Sequence, residues 1–390
     1  MKYIDISDIE INKELPKIDF NINDHEYELA CSVFTSCNLR CKFCFQEHMS
    51  KLPSVEDVYK IPKQMYLLMK PEFEKYDIEK INLKIWGGEL FMDSLPISFF
   101  DAYEYLFFEF QRLVLQDFPY MKIHPTWLSN GIFTRKYEVY NLIKKTNGSL
   151  GFSYDPEGRF NTQEQFRQWV ENYMYFDHCL GKLIISITPT KSNIKSYIMN
   201  NSLANFFTQN MKNIIDISYY TAGKNYLQDT PDDEDMFQFY KWLVDNKIFN
   251  CYVINNIFKV FDKNSNHPMY CNCKKAIQYQ DGYCIKNCAL RASRSLPQEM
   301  FYGKYKDEIT EENCTEYKNS LGILKRGCLY CKWYEKCQKT CWISILSSAY
   351  KISECPLKRI YEYIESNDYL IRDWKRYNET HMSSSNNIQY

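Results

Sequence analysis

The sequence predicts an α/β fold, a parallel sheet with crossover helices, followed by a cysteine-rich C-terminal region. Three observations carry this. Short runs dense in β-branched and aromatic residues alternate with longer runs of helical period. Capping signals stand where helices should start. Of the 16 cysteines, all but Cys179 and Cys251 lie near the start or in the last third of the 390 residues. Alternation of strand and helix over most of a chain favours parallel strands, because each helix carries the chain back to the same end of the sheet.

Candidate strands run over Glu28 to Phe34, Ile81 to Trp86, Met121 to Leu128, Leu150 to Tyr154, Leu183 to Thr188 and Ile214 to Tyr220. Between the second and third, Ile97, Phe100, Tyr103, Phe107, Phe110 and Val114 recur at three- and four-residue steps, with Ser94 as N-cap. After the fourth, Thr162 and Gln165 form a capping box ahead of Phe166, Trp169, Val170 and Tyr173.

Hydrophobic residues make up 45% of the chain, enough to bury a large core. The net charge of -1, with both signs interspersed, offers no basic field for nucleic acid or an anionic membrane. No apolar run reaches spanning length, and residues 1–8 lack the basic-then-apolar order of an export signal. A cytoplasmic protein is expected, and in a reducing cytosol so many cysteines suit metal ligation better than disulfides.

Cys37, Cys41 and Cys44 form a compact CxxxCxxC triplet in the run Thr35-Ser36-Cys37-Asn38-Leu39-Arg40-Cys41-Lys42-Phe43-Cys44-Phe45. Structural zinc and iron sites take four protein ligands, usually as two close pairs. Three thiols without a fourth nearby suit a centre that must admit a small molecule. On spacing alone, zinc or no metal stays open. The triplet resembles the signature of the radical S-adenosylmethionine (SAM) enzymes. In that family three cysteines hold a [4Fe–4S] cluster, SAM chelates the free iron, and one-electron cleavage yields a 5′-deoxyadenosyl radical that takes a hydrogen from substrate. The resemblance places Phe43 against the adenine.

It also implies a partial (β/α)6 barrel with its site at the C-terminal ends of the strands. Gly87-Gly88-Glu89, after the second strand, resembles the family's GGE motif, with Glu89 receiving the methionyl ammonium. Ser129 and Asn130, ahead of Gly131, resemble its Ser-Asn-Gly segment near the methionyl group and ribose; an ordinary turn is the other reading. Ser153 to Gly158 is similar to a Ser-x-Asp-Gly run beside SAM. Pro156-Glu157 stands inserted before that glycine and leaves open the role of Asp155, the candidate catalytic residue. Thr188 and Asn193 either face the cofactor or belong to a solvated loop.

Cys328, Cys331, Cys337 and Cys341 read CxxCxxxxxCxxxC, and Cys355 follows after thirteen residues. This pattern resembles the SPASM extension of radical SAM enzymes. The resemblance implies two auxiliary [4Fe–4S] clusters, three clusters in all. One takes Cys271, Cys273, Cys288 and Cys341, with Cys284 as a substitute; the other takes Cys328, Cys331, Cys337 and Cys355. Zinc is the competing occupant, since CxxC pairs also make zinc ribbons. Cys31, Cys179, Cys251 and Cys314 lack matched partners and read as buried small hydrophobes. The implied domains are an N-terminal extension (1–26), the barrel (27–250), SPASM (251–357), a C-terminal helix (358–378) and a flexible tail (379–390).

The function so implied is a maturase that abstracts hydrogen from a residue of a ribosomally made peptide or protein, giving a C–C or thioether crosslink or a related modification. An electron donor such as flavodoxin or ferredoxin is expected. The roughly 25 residues before the first strand are too few for the fused recognition domain of many thioether-forming relatives, which implies either a separate leader-peptide recognition protein or a direct grip on the substrate by SPASM and barrel loops. Sulfatase-type oxidation of Ser or Cys is one alternative. Its subfamily places an Asp directly after an upstream SPASM cysteine, whereas Ala289 follows Cys288 and Ile285 follows Cys284 here. A non-catalytic zinc-binding module is the other.

Overall fold

The computed structural model describes residues 26–44, 54–75, 78–209, 212–217, 229–262, 276–280, 283–286, 331–333, 336–337 and 355–381. Six parallel strands alternate with helices: β1 (Glu26–Ser32), β2 (Lys80–Trp86), β3 (Lys122–Ser129), β4 (Ser149–Ser153), β5 (Ile184–Ile187) and β6 (Ile214–Ile217). They form a half-barrel, its parallel sheet implied by the strand–helix alternation and its partial closure by the family resemblance. Each predicted strand is present with its described ends shifted by at most three residues, and residues 218–220 of the sixth lie outside the described residues.

The crossovers are α1 (Val55–Lys75), α2 (Ser98–Asp117), α3 (Lys136–Lys145), α4 (Gln163–Leu180) and the pair α5 (Lys191–Met199) and α6 (Asn201–Gln209). Strand parity explains the packing. Tyr27, Leu29 and Cys31 of β1, and Ile81, Leu83 and Ile85 of β2, are all 0% exposed and face the helices, while the residues between them face the concave side. Tyr103 of α2 shows how the helical layer is fixed, packing near Trp127 and donating its hydroxyl to the carbonyl of Leu90.

Ser94 does not cap α2. The helix starts at Ser98, with Ile97 in the cap position and no side-chain hydrogen bond, because Ser94 lies in a turn closed by Leu95 N–H donating to Met92 O. Thr162 does cap α4, its Oγ1 accepting from Gln165 N–H. The Gln165 side chain accepts from Asn161 N–H, so half of the expected box forms.

Two strands escaped the count of six. β7 (Ala276–Gln280) lies parallel to β1 and extends the sheet beyond it, and β8 (Tyr283–Lys286) returns antiparallel, giving the order β6-β5-β4-β3-β2-β1-β7-β8. Part of the stretch assigned to the cysteine-rich domain therefore completes the barrel sheet. Helices α7 (Asp233–Asp245) and α8 (Tyr252–Lys259) follow β6, and Cys251, in the N-cap position of α8, bridges to Ile215 of β6.

Residues 358–378, expected as one helix, belong to two: α9 (Pro356–Glu365) and α10 (Tyr369–His381). The break falls at Ser366-Asn367-Asp368. Ser366 Oγ and Asn367 Nδ2 there donate to the Glu362 and Tyr363 carbonyls in the last turn of α9. Arg359 pairs with Glu234 of α7, and Trp374 stacks on Phe258 of α8, so both helices dock back on the barrel. Among the described residues, no helix is long and apolar enough to cross a membrane.

Candidate functional site

The cysteine loop leaves β1 at the C-terminal mouth of the half-barrel and is fastened to the exits of β2, β3 and β4. At β2 the fastening is backbone to backbone. Gly88 N–H donates to Phe34 O at 2.7 Å and Glu89 N–H to Ser36 O at 2.9 Å. A Cβ on Gly88 would sit 1.8 Å from Ser36 O, and one on Gly87 would sit 2.9 Å from Phe34 O. The close approach that these glycines permit is thus to the cysteine loop itself.

Glu89 is 1% exposed and binds across to β3. Its Oε1 accepts from Phe91 N–H (3.0 Å) and Ser129 Oγ (2.7 Å), and its Oε2 from Asn130 N–H (2.6 Å). Burial pushes its carboxyl up to about 7 against the pull of these donors. The carboxylate expected to meet an ammonium is therefore already a tie between strand ends, with acceptor capacity left mainly on Oε2, which has one donor. Replacing Glu89 by Gln leaves one of these donors facing an amide N–H₂. A loss of about 1–3 kcal/mol is expected, read as a lower denaturation midpoint; an unchanged midpoint would remove the tie from the argument.

Asn130 carries the chain of contacts to the first cysteine. Its Nδ2 donates to Asn38 Oδ1 at 2.8 Å and lies 3.7 Å from Cys37 Sγ, to which Leu39 N–H also donates at 3.4 Å. Asn38 in turn donates to Ile132 O. N–H groups aimed at sulfur stabilise a thiolate. Without a cation, burial and the neighbouring charges of Glu89, Cys41 and Cys44 push the Cys37 thiol up to about 12.

On the β4 side, Lys42 N–H donates to Gly158 O at 3.0 Å. Asp155, 0% exposed, holds Arg159 through Nε and Nη2, and its Oδ1 accepts from Thr188 N–H at 2.6 Å. Burial raises the Asp155 carboxyl, while Arg159 and the Thr188 amide pull it down. Arg159 Nη1 lies 3.7 Å from Cys41 Sγ, and its guanidinium sits 5.4 Å from the buried Phe43 ring. Asp155 thus anchors Arg159 and the exit of β5. Asn193, also 0% exposed, accepts from Glu157 N–H and donates to Thr188 O, which binds the β4 and β5 exits together. Ser153 stands half-buried on the concave face, its carbonyl accepting from Trp169 Nε1.

The donor set suits a cluster. Among the described residues, no three His, Cys, Asp or Glu side chains converge as a single metal ion requires. The three thiols are nonetheless near enough to repel one another as thiolates. Three such thiols would hold three corners of a cubane and leave its fourth iron open. Thr35 Oγ1, buried beside the triplet and without a hydrogen-bond partner among the described residues, is the kind of group that a bound polar ligand would satisfy.

No protein-family model matches the sequence, and a search of curated proteins finds no match. Solved structures do match. The chain is similar to polyhistidine-tagged anSMEcpe with bound AdoMet at 15% identity and a TM-score of 0.61, over 90% of this chain and 99% of that one. It is also similar to native anSMEcpe with bound AdoMet and the Kp18Cys peptide, at 16% identity and a TM-score of 0.57, over 93% and 100% of the two chains. Those proteins are anaerobic sulfatase-maturating radical SAM/SPASM enzymes. The chain has the radical SAM fold.

Within this radical SAM fold the C-terminal cysteines are seen in part. Cys337 receives a contact from Tyr361 Oη of α9 at 3.6 Å, Cys355 stands at the N-terminus of α9, and both pack with Cys331 against the core. Cys271, Cys273, Cys288, Cys328 and Cys341 lie outside the described residues, as does the side chain of Cys284, whose backbone pairs with Tyr279. Cys31 and Cys251 are buried as expected, Cys179 is half-buried, and Cys314 lies outside the described residues.

Sequence reading missed Arg159 and Asn38, both in direct contact with the cysteine triplet. Arg159 follows Asp155 at a four-residue step, a spacing that flags a charge pair on a helix but carries no such signal in a loop. Asn38 sits inside the triplet, where a polar residue draws no notice.

Proposed function

We propose that this chain is a radical SAM enzyme that oxidises a residue of a ribosomally made peptide or protein. The observation that supports it is the cysteine loop at the mouth of a six-stranded half-barrel, with N–H donors on Cys37 and a guanidinium by Cys41. Cys37, Cys41 and Cys44 would hold a [4Fe–4S] cluster that, with SAM, supplies the hydrogen-abstracting 5′-deoxyadenosyl radical. The chain's own residues do the positioning. Glu89, Ser129 and Asn130 lock the β2 and β3 exits beside the loop, and Asp155 and Arg159 lock the β4 exit.

The finer reading is an oxidative crosslink, C–C or thioether, with loss of two hydrogens per SAM consumed. Two auxiliary clusters on the C-terminal cysteines, an electron donor such as flavodoxin or ferredoxin, and a separate leader-peptide recognition protein belong to this reading. Sulfatase-type oxidation of a Ser or Cys is the second reading, supported by the likeness to anSMEcpe, whose structures include bound Cp18Cys and Kp18Cys peptides. Ala289 and Ile285, standing where that subfamily has Asp, weigh against it.

Three cubane clusters amount to about twelve irons per chain after anaerobic reconstitution. Cys41→Ala should abolish reductive SAM cleavage while leaving about eight irons bound. A variant that still forms 5′-deoxyadenosine at the native rate would show that the triplet is not the SAM site. Incubation with peptides encoded beside the gene, followed by mass spectrometry, separates the readings. Loss of two hydrogens matched to 5′-deoxyadenosine supports an oxidation. Placing the change on a bond between two residues, or on a single Ser or Cys, then decides between crosslink and sulfatase-type chemistry.

A further inference from the structure

Three buried tryptophans of this fold pair their indole N–H with an oxygen: Trp127 donates to Thr146 Oγ1, Trp169 to the Ser153 carbonyl and Trp374 to Asn255 Oδ1. Trp333, 9% exposed, does not. Among the described residues its Nε1 has no hydrogen-bond partner. A buried donor left unpaired carries its full desolvation cost, so its surroundings point to the partner it is built to meet. Trp242 of α7 is unpaired too, but it stands in the helical layer among the rings of Tyr197, Phe207 and Phe239.

Around Trp333 the setting is cysteine. It stands two residues after Cys331, and its carbonyl accepts from Cys337 N–H at 2.7 Å and from Lys336 N–H at 3.0 Å, a turn that brings Cys337 back to the backbone of Trp333. The indole is fixed in place. Its centroid lies 5.4 Å from that of Tyr361 on α9 and 5.3 Å from that of Phe261, and Lys332 Nζ lies 4.8 Å from it. Tyr361 Oη in turn donates to Cys337 Sγ at 3.6 Å, and Cys355 occupies the N-cap position of the helix that carries Tyr361. Three cysteines thus stand on the turn and the helix that hold these two rings, with one hydroxyl already on sulfur and one buried N–H still to be met. Sulfide and cysteinate sulfurs of an iron–sulfur cluster accept such donors, which raise its potential because reduction adds the negative charge they stabilise.

We propose that Trp333 and Tyr361 are the hydrogen-bond donors that set the potential of an auxiliary cluster held by Cys331, Cys337 and Cys355. Neither is a ligand. On one-electron reduction the electron enters the iron–sulfur core, no bond is made or broken, and both hydrogen bonds strengthen. The inference rests on the reading of these cysteines as ligands of an auxiliary cluster and adds the residues that tune it.

The test is a dithionite titration, followed by electron paramagnetic resonance, of reconstituted full-length Cys41→Ala protein, in which the triplet holds no cluster and only the C-terminal cysteines do. Trp333→Phe and Tyr361→Phe keep an aromatic ring in each place and delete its donor. Each should make reduction of one cluster about tenfold less favourable, a fall of about 59 mV for a one-electron couple, at unchanged iron content. The two together should add. Trp242→Phe, which deletes an unpaired indole N–H elsewhere, should leave every potential in place. A potential unmoved by either donor variant, one moved as far by Trp242→Phe, or a donor variant that loses iron overturns the proposal while the cluster reading stands. Cys41→Ala protein that binds no iron, or zinc instead, overturns the cluster reading and the proposal with it.

Discussion

Gly88→Ala should strip the protein of its cysteine site. The added Cβ would lie 1.8 Å from Ser36 O, 2.2 Å from Ser36 C and 2.6 Å from Thr35 O, all backbone atoms that cannot rotate away. The loop must retreat, breaking the hydrogen bonds from Gly88 N–H to Phe34 O and from Glu89 N–H to Ser36 O. The combined cost is about 3 kcal/mol or more, and because Ser36 adjoins Cys37, the triplet moves with it. We expect a large fall in the urea midpoint, loss of iron from the triplet and no SAM cleavage. Gly181→Ala is the control. Gly181 has φ of 76° but nothing within 4 Å of an added Cβ, so only the backbone penalty of about 1 kcal/mol applies. If Gly88→Ala behaves like Gly181→Ala, the close packing of loop on strand is not what holds the site.

Arg159→Met should be nearly as severe for a different reason. Asp155 is 0% exposed and Arg159 9% exposed, so removing the guanidinium strands a carboxylate in the interior. Breaking one side of a buried pair costs about 3–5 kcal/mol. Asp155→Asn in the same chain should recover part of that loss, because no buried charge then remains unpaired, and a double-mutant cycle on denaturation midpoints reads the coupling. Arg159 also lies by Cys41 Sγ and over Phe43, so its loss should make the reconstituted cluster harder to reduce. Additive single and double variants, or a cluster potential unmoved by Arg159→Met, would leave Arg159 with no special relation to the site.

Helix ends were less legible than strands. The six parallel strands are apolar on the face that packs against the helices and well marked by β-branched and aromatic residues, so composition and turn signals locate them without any partner. Ser94 satisfied the sequence rule for an N-cap, yet its neighbours form a separate turn before α2 begins, because caps depend on how the chain enters the helix and not on residue type alone. β7 and β8 are five and four residues long and lie far from β1 in the chain, so their pairing with the barrel is a long-range choice that no local pattern records.

By itself the sequence determined the order of strands and helices, the cysteine triplet and the glycines and carboxylate that accompany it, because each of these is a local matter of residue type and spacing. Tertiary structure alone decided what those residues do. It turned Glu89 into a tie between strand ends and made Asp155 the anchor of Arg159. The physical reason is common to both. A carboxylate's role follows from which donors reach it and how much water is left around it, and these are set largely by segments tens of residues away in the chain.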